Sequence, residues 1–201
     1  IWFYPAGTPS GNPAVQNNRA VVYNYVENTW STMTLARSSY ADASTYDVPY
    51  ATEYTSTATP TISNISGATN TFGSSLYFAH EVGTNKIALN GTETAIPAYI
   101  QSGDFDLPTD GDGEYLLRLS RFLPDFKNLQ GNAIVTIFLK NFPIDSGASS
   151  QLGPFTINAS TQKIDTRARG RLANIKIQNT AVNETWRFGT FRADVNPDGR
   201  R

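Results

Sequence analysis

The stretch that decides the fold is KIDTRARGRLANIKIQNTAVNETWRFGTFRADVNPDGRR, which runs from Lys163 to Arg201. Charged side chains occupy every second position at its start, so Asp165, Arg167, Arg169 and Arg171 would share one face of an extended strand. A face that carries four charges cannot belong to a hydrophobic core. The pattern therefore predicts a strand with one solvent-exposed face.

The remainder of this stretch predicts a β-hairpin. Ile175 and Ile177 alternate with polar residues, and the polar segment 179–184 supplies a turn before a second strand that begins at Trp186. We expect the Pro-Asp-Gly sequence at 197–199 to close the hairpin with another turn.

The charge of the chain is unevenly distributed. Residues 161–201 hold nine Lys and Arg against four Asp and Glu, whereas residues 1–160 hold seven against thirteen. The two parts carry about +5 and −6, although the whole chain has a net charge of −1. This asymmetry permits a basic surface that meets a polyanion or the acidic surface of a neighbouring copy. The alternative is that the arginines only cover a solvated strand face, which is common in antiparallel sheets.

The composition favours β structure. Among the 201 residues 12% are aromatic, Gly occurs fifteen times and Met once, and no segment has a convincing amphipathic helical period. The absence of Cys excludes disulfides, thiolate metal sites and a Cys nucleophile. No apolar run approaches the roughly eighteen residues that cross a membrane.

Residues 1–95 are typical of propeller-blade strands. The segment Arg19–Trp30 alternates and then turns near Glu27 and Asn28, which predicts a hairpin with aromatic side chains. The dipeptide Asn90-Gly91 predicts a second hairpin. We expect this part to be an incomplete propeller portion, and a lone hairpin of some other β fold is the alternative.

Residues 96–201 are typical of an antiparallel β-sandwich. Ala133–Leu139 is almost continuously apolar, which predicts a central strand that is buried on both faces. The predicted fold is all-β, with propeller-type blade strands followed by an antiparallel β-sandwich. The strand-like runs of this second part are Ala98–Leu107, Glu114–Leu123, Ala133–Phe142, Pro154–Ile157, Leu172–Gln178 and Trp186–Val195.

The sequence offers little for catalysis. His80 is the only histidine, and neither a Gly-x-Ser-x-Gly elbow nor a His-Glu-x-x-His motif is present. We expect His80 to hydrogen-bond at the end of its strand. The sequence predicts no catalytic residue, no cofactor and no metal.

Two groups of carboxylates are candidate sites. Asp110, Asp112 and Glu114 have the spacing of a calcium loop, but Tyr115 replaces the required Gly, so a solvated turn is the main interpretation and an irregular calcium site the alternative. Paired carboxylates for glycoside hydrolysis would have to come from residues whose separation the sequence cannot give (Asp104, Asp106 and Asp125).

An ordered set of motifs resembles the tail hub or nozzle proteins of short-tailed bacteriophages, also called tail tubular or packaged-DNA stabilisation proteins. Each motif is short, and together they span residues 76–201. They are LYFAHEVGT (Leu76–Thr84), AYIQSGDFDL (Ala98–Leu107), RLSRFLPDF (Arg118–Phe126), GPF (Gly153–Phe155), RARGR (Arg167–Arg171) and WRFGTFRADVNPDGRR (Trp186–Arg201).

The resemblance implies a structural virion protein of a phage tail. Such a protein forms a ring of identical subunits, commonly six, that lines the channel through which DNA leaves and contacts other tail or portal-adaptor proteins. DNA would pass transiently and without sequence preference. A full member would carry more blades, so we expect this chain to be a fragment.

We expect the subunit interface to use the arginines of the basic part, against the acidic surface of an adjacent copy and away from the channel. These are Arg167, Arg169, Arg171, Arg187 and Arg192. One alternative is a receptor- or glycan-binding tail module that uses Tyr40, Tyr46, Tyr50 and Tyr54 as sugar platforms, and another is a propeller glycosidase.

Overall fold

The computed structural model describes residues 1–7, 17–55, 74–87, 91–107, 115–143 and 150–200, apart from the side chains of 54, 55, 74–76 and 200. These residues form several small antiparallel sheets; within the described ranges there is no helix and no sheet closes on itself. The all-β prediction is therefore confirmed. The chain divides into two compact units, Ile1–Gly83 and Thr84–Arg201.

The described residues of the first unit form two sheets of three strands. Their orders are β1-β2-β3 and β4-β5-β6, so each central strand has two antiparallel neighbours. The strands are β1 (Trp2–Tyr4), β2 (Arg19–Asn24), β3 (Thr29–Met33), β4 (Ser39–Ala41), β5 (Tyr50–Thr55) and β6 (Ser74–Ala79).

The hairpin predicted from residue 19 onward is confirmed. Strand β2 pairs with β3 so that Tyr23 lies opposite Trp30, and their rings stack with centroids 4.5 Å apart. The turn ends at Asn28, whose φ of 53° is left-handed, a conformation that Asn tolerates better than most residues.

The second unit contains eleven described strands in four sheets. The sheet orders are β13-β12-β15-β9, β14-β10-β17, β11-β16 and β7-β8. The strands are β7 (Asn85–Ile87), β8 (Glu93–Ala95), β9 (Tyr99–Gln101), β10 (Tyr115–Leu123), β11 (Phe126–Gln130), β12 (Ala133–Lys140), β13 (Ser150–Ile157), β14 (Ile164–Gly170), β15 (Leu172–Gln178), β16 (Thr185–Phe188) and β17 (Arg192–Arg200).

The core of this unit is one apolar cluster formed by side chains of its two larger sheets. Phe122 of β10 and Ile137 of β12 are both fully buried within it. Consecutive residues Val135, Thr136 and Ile137 are all buried, which requires cover on both faces of β12. The prediction of a doubly buried central strand is confirmed. Burying each such large apolar side chain contributes about 1.5–3 kcal/mol.

The hairpin predicted after residue 175 is wrong. Strand β15 pairs with β12 and β9, whereas β16 pairs with β11, so the two strands lie in different sheets. Asn179, which is buried, accepts a hydrogen bond from the backbone N–H of Ala98 and donates one to the carbonyl of Ile96. The Glu184 carboxylate accepts hydrogen bonds from the backbone N–H groups of residues 180 and 181. These bonds organise 179–184 as a connection between sheets rather than a tight turn.

The turn predicted at 197–199 is also wrong, because β17 continues to Arg200. The register changes between the pair Leu117–Pro197 and the pair Tyr115–Arg200, which marks a bulge. Gly199 has φ of +90°. β17 is an edge strand of its sheet, where proline and a glycine bulge are tolerated. The Pro-Asp-Gly sequence therefore marks a bulge within the strand and not a turn at its end.

The hairpin predicted at Asn90-Gly91 is confirmed by the antiparallel pairing of β7 with β8, although residues 88–90 lie outside the described ranges. This hairpin falls in the second unit, since the division comes after Gly83 and the predicted boundary after residue 95. The Asn85 side chain donates to Oδ1 of Asn183 at 2.8 Å and accepts from its backbone N–H at 2.7 Å. These two bonds attach the hairpin to the connection between β15 and β16 in the same unit.

Candidate functional site

The outward surface of the β14-β10-β17 sheet carries most of the arginines of the second unit, and we call it the charged face. On β14 the buried residues alternate with exposed Asp165, Arg167 and Arg169. The predicted one-sided charged strand is therefore confirmed. The charged face consists of Arg118, Arg121, Arg167, Arg169 and Arg192 with Asp165, Asp194 and Asp198.

A bulge in β10 brings two more arginines to this face. Residues three apart on a regular strand point to opposite faces, but the register shifts at Ser120 against both neighbours, and β10 carries an extra residue there relative to β17. Arg118 is exposed before the shift, and Arg121 contacts carboxylates of both neighbouring strands after it. The bulge therefore places both guanidinium groups outward.

Arg121 lies between two carboxylates. Its Nε donates to Oδ1 of Asp165 at 2.9 Å, and its Nη1 lies 3.8 Å from Oδ2 of Asp194. The hydrogen bond from Arg121 lowers the pKa of Asp165, and the Nζ of Lys163 at 3.0 Å lowers it further. The same bond to Asp165 raises the pKa of Arg121. The centre of the charged face is thus neutralised within the chain.

Two further arginines have carboxylate partners in their own chain. The Nε of Arg169 is 2.7 Å from Oδ2 of Asp198, and its Nη2 donates to the backbone carbonyl of the same residue at 3.0 Å. Arg192 lies 3.3 Å from Oδ2 of Asp125. Both arginines are exposed, so these pairs orient the side chains more than they stabilise the fold.

Arg118 and Arg167 are the two arginines of the charged face that lack a carboxylate partner among the described residues. Both are exposed, and neither forms an ion pair with a carboxylate of the described residues. In the register Arg118 lies opposite Arg169 on one side and Asn196 on the other. A planar guanidinium can bind a carboxylate or phosphate through two parallel hydrogen bonds. The unneutralised charge of the face is concentrated at these two arginines.

The five predicted interface arginines do not all meet. The structure brings Arg167, Arg169 and Arg192 to the charged face. Arg171 lies after the end of β14, half-buried, with its guanidinium carbon 5.7 Å from the ring centroid of Phe142. Arg187 is exposed on β16, in another sheet. The predicted alternation therefore fails at its last position, because the strand has already ended.

Sequence reasoning missed Arg118 and Arg121. Their spacing of three does not match the period of two that marks one face of a strand. The bulge that places both on one face lies at Ser120, and serine, unlike glycine or proline, does not mark a bulge in a sequence. The segment RLSRF could have been selected only by its density of arginine.

His80 belongs to a partly buried polar cluster of the first unit. The Arg37 side chain, only 8% exposed, donates from Nε to Nε2 of His80 at 3.0 Å and from Nη1 to Oε2 of Glu53 at 3.0 Å. Its guanidinium carbon lies 4.1 Å above the ring centroid of Phe78. Burial and then the charge of Arg37 lower the pKa of His80, which favours the neutral acceptor form. The backbone N–H of His80 also donates to Pro49 at 2.8 Å, so the expected hydrogen-bonding role at the strand end is confirmed.

Of the three carboxylates considered for glycoside hydrolysis, Asp104 and Asp125 have cationic partners, whereas Asp106 is exposed and forms no ion pair within the described residues. Asp104 accepts hydrogen bonds from Lys140 at 2.7 Å and from Asn174 at 2.8 Å, and the bond from Lys140 is the main cause that lowers its pKa. Asp125 pairs with Arg192. The predicted calcium-loop residues 110, 112 and 114 lie outside the described ranges. Within those ranges, no group of three or more His, Cys, Asp or Glu is arranged to hold a metal ion.

The tyrosines considered as sugar platforms are partly clustered. Tyr50 stacks on Tyr77 with centroids 4.9 Å apart, and Tyr46 meets Tyr50 edge-on at 5.2 Å. Tyr46 and Tyr77 are exposed. Tyr40 instead packs between Phe3 and His80, and the side chain of residue 54 lies outside the described part.

Comparison with protein-family models and with curated proteins finds no match. In the described part of the chain no helix is long and apolar enough to cross a membrane.

Proposed function

We propose that the chain is a structural component of a bacteriophage tail, in which identical subunits form a ring around the DNA exit channel. Its first unit would contribute propeller-type blade strands, and its second unit would be an antiparallel β-sandwich. The observation that carries the proposal is that three of the motifs quoted for the resemblance, although distant in sequence, pair as one sheet. They begin at Arg118, Arg167 and Trp186, and supply parts of β10, β14 and β17.

The charge distribution supports contact between copies. The charged face has two arginines that no described carboxylate neutralises, Arg118 and Arg167. The first unit holds two Arg and no Lys against five Asp and Glu, and only one of those five, Glu53, forms an ion pair within the described residues. The acidic surface of one copy is therefore a suitable partner for the charged face of the next.

In this proposal the charged face points away from the channel. A channel that releases DNA should not hold it, and each neutralised phosphate adds a counterion-release contribution to binding. Carboxylates of a neighbouring subunit can pair with the arginines, and such pairs do not hold DNA in the channel. Neighbouring tail or portal-adaptor proteins would contact other surfaces of the ring.

The experiment is to measure the mass of the purified chain in solution across a range of concentrations and to image the assembled species. We expect a closed ring whose subunits are related by rotation, since head-to-tail contacts that close give rings. A chain that remains monomeric at all concentrations, or that forms only two-fold dimers, would contradict the proposal.

A second candidate is a glycan-binding tail module, which the exposed cluster of Tyr46, Tyr50 and Tyr77 favours. Its discriminating test is binding to an array of bacterial surface glycans. Saturable binding that is lost on Tyr77→Ala, by a chain that does not assemble, would favour this candidate over the ring.

A further inference from the structure

The outer strand of the four-stranded sheet has one edge that no described residue pairs with. In the order β13-β12-β15-β9, strand β9 lies at the end and pairs only with β15. The N–H of Ser102 donates to Ile175, and the carbonyl of Ala98 accepts from Asn179, both at 3.0 Å. Because bonding directions alternate along an antiparallel ladder, Tyr99 and Gln101 direct their N–H and carbonyl groups to the open side.

An apolar slot of about 230 Å³ lies directly under this edge. Ile100 is opposite Ile177 in the register, so both side chains are on the same face of the sheet. Ile177 is buried, whereas Ile100 is 48% exposed at the mouth. The slot is lined mainly by Ile100, Phe105, Ile175, Ile177, Phe188 and Phe191.

These two features together specify the occupant. The groups of Tyr99 and Gln101 recur two residues apart, about 6.6–6.8 Å along the strand, which is the spacing of the complementary groups on another extended chain. The slot exceeds the roughly 150 Å³ that admits a benzene molecule, so it can receive one branched or aromatic side chain. A helix or a small apolar ligand would leave the edge groups unpaired.

We infer that β9 binds an extended segment of a partner polypeptide, which adds to the sheet as a fifth strand and inserts one large apolar side chain into the slot. The inserted residue lies opposite Ile100 in a non-hydrogen-bonded pair, where side chains approach most closely. Its two neighbours point to the other face, beside Tyr99 and Gln101, and are polar. Main-chain bonds supply affinity in this mode, and the slot supplies specificity.

The test is selection of a displayed library of random seven-residue peptides on the full chain, followed by affinity measurement with one enriched synthetic peptide. We expect the enriched peptides to share an apolar residue between polar ones. Gln101→Pro removes the outward N–H and leaves the backbone bonds between β9 and β15 in place, and it should weaken binding at least tenfold. It also removes the side-chain bond from Nε2 of Gln101 to Oδ1 of Asn174 at 3.1 Å, which the alanine control removes as well. Gln101→Ala loses the same side chain but keeps that N–H, and it should bind within about twofold of the original chain.

Ile100→Ser tests the slot independently of the edge and also serves if the proline variant fails to fold. It keeps the backbone groups and removes apolar lining, so it should weaken binding at least tenfold while the melting curve still shows a folded chain. Failure to enrich any peptide would overturn the inference. Equal binding by Gln101→Pro or by folded Ile100→Ser would overturn it as well.

Discussion

The Nε of Arg37 donates a hydrogen bond of 3.0 Å to Nε2 of His80, the only histidine in the chain. Nε2 can accept this bond only while it carries no proton, so the bond requires neutral His80. A protonated imidazole would lose the bond and place a second positive charge beside a guanidinium that is 8% exposed. The cluster therefore couples the stability of the first unit to pH.

We predict that the first unit loses stability as the pH falls from about 7.5 to 5. The folded-state pKa of His80 lies below its ordinary value of 6.5 because of burial and Arg37. The unfolded state thus binds more protons in this window, and the free energy of unfolding decreases as pH falls below about 6.5. Hydrogen exchange of β4–β6 amides, corrected for the pH dependence of intrinsic exchange, measures the effect.

The control for this prediction is His80→Gln, whose side-chain oxygen can still accept from Arg37 but does not titrate. Protection of the same amides in this variant should stay nearly constant between pH 7.5 and 5. The lowered pKa values of Asp42, Asp104 and Asp165 act below this window, because their ordinary value is 3.8. An equal pH dependence in the chain with and without His80 would refute the coupling.

Arg37→Met should destabilise the first unit by about 2 kcal/mol. The change leaves the Glu53 carboxylate and the His80 acceptor without their partner, but Glu53 is 25% exposed, so the cost falls below the 3–5 kcal/mol of a fully buried pair. Denaturant unfolding followed by hydrogen exchange of β5 measures it. Adding Glu53→Gln should recover part of the loss, and a purely additive double variant would contradict the pairing.

The strands most accessible to sequence reasoning were those with strong local patterns. Residues 133–139 are nearly all apolar and form the doubly buried β12, and the alternation that starts at Asp165 gives the one-sided β14. The alternation in 172–178 matches β15 at both ends. In each case burial on one or both faces determines the sequence pattern, so the pattern reveals the strand.

Strand partners were less accessible, because pairing depends on residues far apart in sequence. No local pattern indicates that β15 and β16 join different sheets, a separation that side-chain bonds of Asn179 and Glu184 stabilise. Strand β11 at Phe126–Gln130 was not predicted, since it is short and mostly polar. On the charged face the arginines of β14 were predicted because they recur at every second position, whereas those of β10 were not because a bulge interrupts that strand.

Phe122→Ala should cost about 3–5 kcal/mol of the unfolding free energy of the second unit. Phe122 is fully buried and stacks on Phe191 with centroids 5.1 Å apart, so truncation leaves a cavity in the core. The adjacent Leu123 is 38% exposed, and Leu123→Ala should cost less than about 1 kcal/mol. Urea unfolding followed by Trp186 fluorescence in a chain that lacks Trp2 and Trp30 measures both. Similar costs for the two variants would show that the core is assigned to the wrong face of β10.

The last prediction concerns the contact between copies. If the charged face binds a carboxylate surface, the double variant Arg118→Ser/Arg167→Ser should weaken self-association at least tenfold and leave the fold intact, because neither arginine pairs with a described carboxylate of its own chain. Raising the salt concentration from 0.1 to 1 M shortens the Debye length from about 10 to about 3 Å, so it should weaken association of the original chain more than that of the variant.

The matched control is Arg187→Ser, which replaces an exposed arginine on β16 outside this face and should leave self-association unchanged. Sedimentation equilibrium gives the association constants. Association by the double variant that equals that of the original chain, at both salt concentrations, would exclude the charged face from the contact.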